Sequence, residues 1–268
     1  MDLDGPDGLL VVAIDDVGGV PGGILVGDVT DLRETGIEPA MALRPDAVGW
    51  SIPSAGIAID SSRAVTWSPT LPAAAAFSPT PAVARSVDAI RRLAADRAPE
   101  GGLAPMLSDG DGPGDPWLAR ARVLIGTQLT ALTAGDVATA VNATVGLIGL
   151  GVGLTPSGDD YLVGLLAGLE ASGNPARKVL SAAIATHAPG RTTTIGASML
   201  VHATRGAFAE RLHDALVAIA TGRQDALSTP IGRAVAYGAT SGSDTLVGML
   251  AALDLAQAHP STVTRSAA

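Results

Sequence analysis

Residues Leu147–Leu169, LIGLGVGLTPSGDDYLVGLLAGL, constrain this chain more than any other stretch. An apolar run carrying Gly149, Gly151 and Gly153 breaks at Thr155-Pro156 and passes through Ser157-Gly158-Asp159-Asp160. It resumes as a helical pattern with Leu162, Leu165, Leu166 and Leu169 on one side. Adjacent carboxylates in so apolar a segment are costly to bury unless paired, hydrogen-bonded or metal-bound. That local conflict marks the segment as the first candidate site.

The stretch has an echo. Ser157-Gly158-Asp159-Asp160-Tyr161-Leu162-Val163-Gly164 returns, at constant offset, as Ser241-Gly242-Ser243-Asp244-Thr245-Leu246-Val247-Gly248. Ser followed three residues later by Asp is a variant of the capping box, which satisfies free donors at a helix start. Capping accounts for Ser157, Asp160, Ser241 and Asp244. It leaves Asp159, where the echo has Ser243, and the glycine ladder without a role. Gly164 and Gly248 let each helix approach a neighbour closely. Two helices packed side by side, with their N-termini facing one pocket, are expected.

Helix N-termini and glycine loops favour anions, whereas Asp159 and Asp160 repel them. A divalent cation between the carboxylates and an anionic ligand resolves the conflict, and Mg²⁺ commonly takes that place. The expected site therefore holds Mg²⁺ on Asp159 and Asp160. Backbone amides near Gly151, Gly153 and Gly158 bind or stabilise negative charge, with Gly242 and Asp244 contributed by the echo. Thr155, Ser157, Ser241, Thr193 and Arg191 orient the ligand. Arg191-Thr192-Thr193-Thr194 opens a long helix, where the hydroxyls serve equally as caps or as ligand donors. Of His187, His202, His213 and His259, His202 is the best general-base candidate, although a lone helical His is more often packed or solvated.

Composition narrows the alternatives. A net charge of −9, no basic run and 3% aromatics argue against a general nucleic-acid binder. Cysteine is absent, which removes thiolate chemistry and disulfides. Lys178, the sole lysine, reads as a solvated helical residue, and no Gly-Lys-Ser/Thr phosphate loop exists. Gly151-Val152-Gly153 lacks the third Gly of a dinucleotide fingerprint. Neither G-x-S-x-G nor H-E-x-x-H occurs. Asp109-Gly110-Asp111 is followed by Pro113 with no closing Glu, so the 98–116 segment reads as a surface loop and not an EF-hand. The start MDLDGPDG lacks the charge pattern of a secretory signal, and no apolar run reaches membrane length, so a cytoplasmic protein is expected.

An α+β fold follows: a small N-terminal β-barrel-like domain over residues 1–68, a Pro-rich connector over 69–81, and a helical domain over 82–260. The strands are expected at Leu9–Ile14, Gly23–Val26, Ala47–Ile52 and Gly56–Ile59, with Val65–Trp67 as a further candidate. Trp50 and Trp67 read as core residues. Helices are expected at Val83–Ala98, Trp117–Thr133, Asp136–Ile148, Asp159–Ala171, Pro175–His187, Thr193–Thr221, Gln224–Ala236 and Ser243–Ala258, followed by a frayed STVTRSAA end.

GLIGLGVGLTPSGDDYLVG, TTTIGASMLVHATRGAFAERL and GATSGSDTLVGML, in this order, resemble a family of uncharacterised bacterial proteins that contains the third subunit of oxamate carbamoyltransferase. The resemblance spans roughly Gly22 to Leu255 by order of features. It departs from the family at Val152 and Gly196, where Pro and Ser are frequent. It implies carbamoyl transfer between an oxalurate-type ureide and phosphate, in ureide nitrogen catabolism. It also implies two partner subunits, one similar to acyl-CoA synthetases. A small anionic substrate, with no nucleic acid, membrane or organic cofactor, completes the expectation. The rival readings are a non-catalytic assembly subunit and a Mg²⁺-dependent kinase-like enzyme.

Overall fold

The computed structural model describes residues 2–5, 8–14, 18–39, 41–108 and 115–258. Asp109-Gly110-Asp111, His259 and the STVTRSAA end lie outside them. Contacts within the chain define two units, Met1–Pro69 and Thr70–Ala268.

In the first unit, β1 (Asp2–Gly5) pairs antiparallel with β2 (Gly8–Ile14), and β2 pairs parallel with β3 (Gly23–Val26). A second sheet places β4 (Arg44–Pro45), β5 (Gly49–Ile52) and β6 (Ile57–Asp60) in antiparallel order. The expected barrel is corrected by this topology: among the described residues the strands form two three-stranded sheets with no ladder joining them. A 3-10 turn at Leu32–Thr35 interrupts the chain between the sheets, its start closed by the Asp31 carboxylate accepting from the Arg33 amide at 2.9 Å. Val65–Trp67 forms no strand, and Trp50 and Trp67 are half-buried.

The second unit contains α1 (Pro81–Arg97), α2 (Pro116–Ala134), α3 (Val137–Leu147), α4 (Ser157–Ala171) and α5 (Ala176–His187). It continues through α6 (Thr194–Thr204), α7 (Glu210–Ala220), α8 (Ser228–Val235) and α9 (Ser241–Ala258). The proline-rich stretch packs onto this unit. Thr70 bridges to Ala207, and the Phe77 amide donates to the Ala171 carbonyl at 3.2 Å. Thr80 caps α1, with Pro81 at the first helical position, where its missing N–H costs nothing.

The expected helix Thr193–Thr221 is two helices. After Thr204 the amides of Arg205 and Ala207 both turn back onto the His202 carbonyl, and Gly206 takes φ 79°. A side chain disfavours that left-handed conformation, so glycine ends α6 here. The turn starts α7 in a new direction. The Gln224–Ala236 segment likewise opens as a 3-10 turn at Gln224–Ala226 before α8 begins.

The core is built around α4 and α9. Every residue from Ser157 to Leu169 and from Gly242 to Leu253 is buried, as expected for helices apolar on all sides. A Cβ on Gly164 would lie 1.8 Å from the Thr245 carbonyl oxygen and 2.9 Å from the Met249 amide. A Cβ on Gly248 would lie 1.9 Å from the Tyr161 carbonyl oxygen and 2.9 Å from the Leu165 amide. One turn later Gly168 faces Ala252 and the Met249 carbonyl. The contact partner advances along α9 as the chain advances along α4, so the helices run parallel. The two copies of the echo are related by a local pseudo-two-fold relationship, and their N-termini lie at the same end.

A buried polar chain fixes α4 to α2 and α3. The Tyr161 hydroxyl donates to Gln128 Oε1 at 2.9 Å, Gln128 Nε2 donates to Thr144 Oγ1 at 2.6 Å, and Thr144 donates to the Ala140 carbonyl at 2.8 Å. Arg91 pairs with Asp254 at 2.6 Å, which ties α1 to α9.

Paired helix N-termini as a candidate site

The parallel packing of α4 and α9 brings three buried carboxylates to one end of the core: Asp159 and Asp160 from α4, and Asp244 from α9. Their surroundings differ: two are hydrogen-bonded within the protein and one is not.

Asp159 is a tie. Oδ1 accepts from the Gly149 amide at 2.8 Å, and Oδ2 accepts a short hydrogen bond from the Thr192 hydroxyl. The side chain thereby holds the glycine loop and the start of α6 against α4. Burial raises its pKa, and the two hydrogen bonds oppose the rise. Gly196 makes room for it: a Cβ there would stand 2.4 Å from Asp159 Oδ2.

Asp244 is also a tie. It accepts from the Leu103 amide at 2.6 Å and from the Thr240 hydroxyl at 3.0 Å. Gly102 lies so close that a Cβ would meet the carboxylate at 2.4 Å. Burial raises the Asp244 pKa, with the Leu103 amide as the main opposing influence.

Asp160 stands apart. It is 1% exposed, and neither carboxylate oxygen has a hydrogen-bond partner. The hydroxyls of Thr155 and Ser241 share a hydrogen bond at 2.8 Å across the two halves of the echo, and both lie near enough to Asp160 to oppose the rise in its pKa. Burial, then the Asp244 charge, push its pKa well above the ordinary aspartate value. Capping does not explain it: α4 starts at Ser157 with Pro156 before it, and no side chain caps that end.

Across from this cluster sits Arg211, in the first turn of α7 and 8% exposed. Its guanidinium stacks over the Tyr237 ring, 3.2 Å from the centroid, and Nη1 has no partner. The Asp160 charge acts on it, yet no direct ion pair joins the two. Arg211, Ala215 and Ile219 share one buried helical face. An arginine at an apolar-face position is the sequence signal for this residue.

The other expected site residues are placed as follows. The Gly158 amide donates to the Leu150 carbonyl at 2.8 Å, and the Gly242 amide to the Tyr237 carbonyl at 2.9 Å, so both are engaged within the protein. Gly151 and Gly153 adopt φ 121° and 96°, in a loop whose Val152 and Leu154 side chains are 73% and 71% exposed. Thr193 caps α6 by accepting from the Gly196 amide at 2.9 Å, and donates to the Leu154 carbonyl. Arg191 is exposed beside this cap. Ser157 is buried next to Asp244. His202, half-buried in the last turn of α6, has its pKa lowered by burial and by Arg205. No hydrogen bond from its ring to the three aspartates is found among the described residues. No group of three or more His, Asp or Glu with metal-binding geometry occurs among them. No helix of the described residues is long and apolar enough to cross a membrane.

No curated protein and no solved structure gives a significant match to the chain. A family model does, over a segment that runs from the end of α3 through most of α9 and includes Asp159, Asp160, Arg211 and Asp244. Over residues 147–253 the chain matches the family described as oxamate carbamoyltransferase subunit AllH.

Proposed function

We propose that the chain is a subunit of an oxamate carbamoyltransferase assembly, and that the N-termini of α4 and α9 form its ligand site. The observation that carries the reading is Asp160: a buried carboxylate with no hydrogen-bond partner, inside the segment that matches the family. A folded protein tolerates such a group when something outside the chain completes it. In the carbamoyl transfer that the resemblance implies, a phosphate oxygen attacks the terminal carbonyl carbon of oxalurate. The C–N bond breaks, the departing nitrogen takes the proton released by phosphate, and oxamate and carbamoyl phosphate result. The ligands are small and carry amide and carboxylate groups. Asp160, Arg211, Thr155 and Ser241 supply acceptor and donor groups of that kind.

Two other subunits, one of them synthetase-like, are proposed as partners. Mg²⁺ shared by Asp159 and Asp160 is a weaker proposal, because both Asp159 oxygens are already engaged. Titrating Mg²⁺ into the chain and its Asp160→Asn variant tests it, and an unchanged binding isotherm sinks it.

A non-catalytic assembly role is the second reading, favoured by the internal engagement of Asp159, Asp244, Gly158 and Gly242. The deciding experiment incubates oxalurate and phosphate with the chain alone, with its partner subunits, and with the partners lacking this chain. Carbamoyl phosphate formed by the chain alone supports the proposal, and formation only with the partners present leaves the assembly role standing. Equal formation without the chain refutes the proposal.

A further inference from the structure

Asp160 and Arg211 are each more than nine-tenths buried, each has an unpartnered polar atom, and they are electrostatically coupled without touching. Satisfied separately, each would be paired by the protein, as Asp159 and Asp244 are. Satisfied together, they would form a direct ion pair. They do neither, which leaves a buried acceptor group and a buried donor group unsatisfied within electrostatic reach of one another.

The field between them selects what fits. A carboxylate on one side and a guanidinium on the other set up a local dipole in a low-dielectric interior. An added anion is attracted to Arg211 but repelled by Asp160, whose own charge is already opposed by Asp244 and Asp159. An added cation meets the reverse conflict at Arg211. A neutral planar group with N–H donors at one end and a carbonyl at the other aligns with the field and completes both residues. We infer that Asp160 and Arg211 bind the primary amide of a small ligand, the N–H facing the Asp160 carboxylate and the C=O accepting from Arg211. Tyr237, stacked on the guanidinium, holds Arg211 in place for this contact. Thr155 and Ser241, bonded to one another, lie beside Asp160.

The choice of probe rests on the proposed function, whereas the amide assignment rests on the two side chains. Oxamate and oxalate differ only in that oxalate replaces the amide with a second carboxylate. Calorimetric titration of the full chain is expected to show oxamate binding at least about tenfold tighter than oxalate, the scale of one hydrogen bond to a charged group. In Asp160→Asn the preference is expected to shrink, because the charge that rejects oxalate is gone. Arg211→Lys is expected to weaken oxamate, and circular dichroism reports whether that variant is folded. The wild-type comparison stands even if it is not. Equal affinities for the two ligands, no oxamate binding by the chain or its assembly, or oxamate binding that requires Mg²⁺ overturns the inference. So does a crystal structure with oxamate showing only water between Asp160 and Arg211. The inference and the proposed function fail separately. Amide binding without carbamoyl transfer removes the function, and transfer that is indifferent to Asp160→Asn removes the amide site.

Discussion

Gly164 and Gly248 occupy equivalent positions in the two copies of one sequence motif, and each lies against the other helix where a Cβ would fall within 2 Å of a backbone carbonyl oxygen. Helices this close exchange Cα–H···O contacts that larger residues prevent. The same closeness brings Asp160 and Asp244 together at the N-terminal end. The small residues thus bring the two carboxylates together as well as packing the core.

Gly164→Ala and Gly248→Ala are each expected to destabilise the chain by about 2 kcal/mol or more, since the clash is with backbone and cannot be relieved by a rotamer change. The double variant is expected to cost less than the sum of the two, because both force apart the same interface. Urea denaturation of the three variants measures both effects. Additive costs would contradict a shared contact.

Asp159 and Asp160 are expected to respond in opposite directions. Asp159→Ala leaves the Gly149 amide and Thr192 hydroxyl without their acceptor and is expected to cost about 1–3 kcal/mol. Asp160→Asn removes an unpartnered buried charge and is expected to raise the melting temperature. Thermal unfolding of the pair at neutral pH is the check, and two losses of similar size would contradict the separation of roles.

The pH dependence follows from the same residue. Burial raises the Asp160 pKa in the folded chain above 3.8. In that window the folded state holds a proton that the unfolded state has lost. This contribution to stability is therefore complete below the unfolded value and declines as pH rises through the folded one. Asp159 and Asp244 are shifted in the same direction. Stability is expected to fall as pH rises above about 4, with a shallower slope in Asp160→Asn. Melting curves across this range read the slope, and identical slopes would exclude Asp160 as a source.

Tyr161→Phe is expected to cost about 1–3 kcal/mol, since it strands the buried Gln128 Oε1 while barely changing volume. Replacing Gln128 with Met in that variant is expected to recover part of the loss. Failure of the second change to help would point to packing rather than the hydrogen bond.

Local signals carried the helical body: apolar periodicity and capping residues locate α1 to α5 within a residue or two, and the echo marks α4 and α9 as partners. The parallel strand pair β2–β3 and the separation into two sheets were not legible, because strand pairing depends on contacts that short apolar runs do not encode. The α6–α7 break was marked only by Gly206, within a stretch whose apolar spacing continues. At the site, Asp159 and Asp160 looked alike as neighbours, but a helix turns adjacent side chains about 100° apart. One turns to the glycine loop and the other to the α9 side, and only coordinates separate them.

The central claim is that Asp160 meets ligand in a carbamoyl-transferring assembly. Carbamoyl phosphate formation from oxalurate and phosphate, by assemblies carrying wild-type or Asp160→Asn chains in equal amounts, tests it most directly. The account expects the variant to assemble, to be at least as stable, and to lose activity by on the order of 10- to 100-fold. Full activity in a correctly assembled Asp160→Asn complex would contradict it.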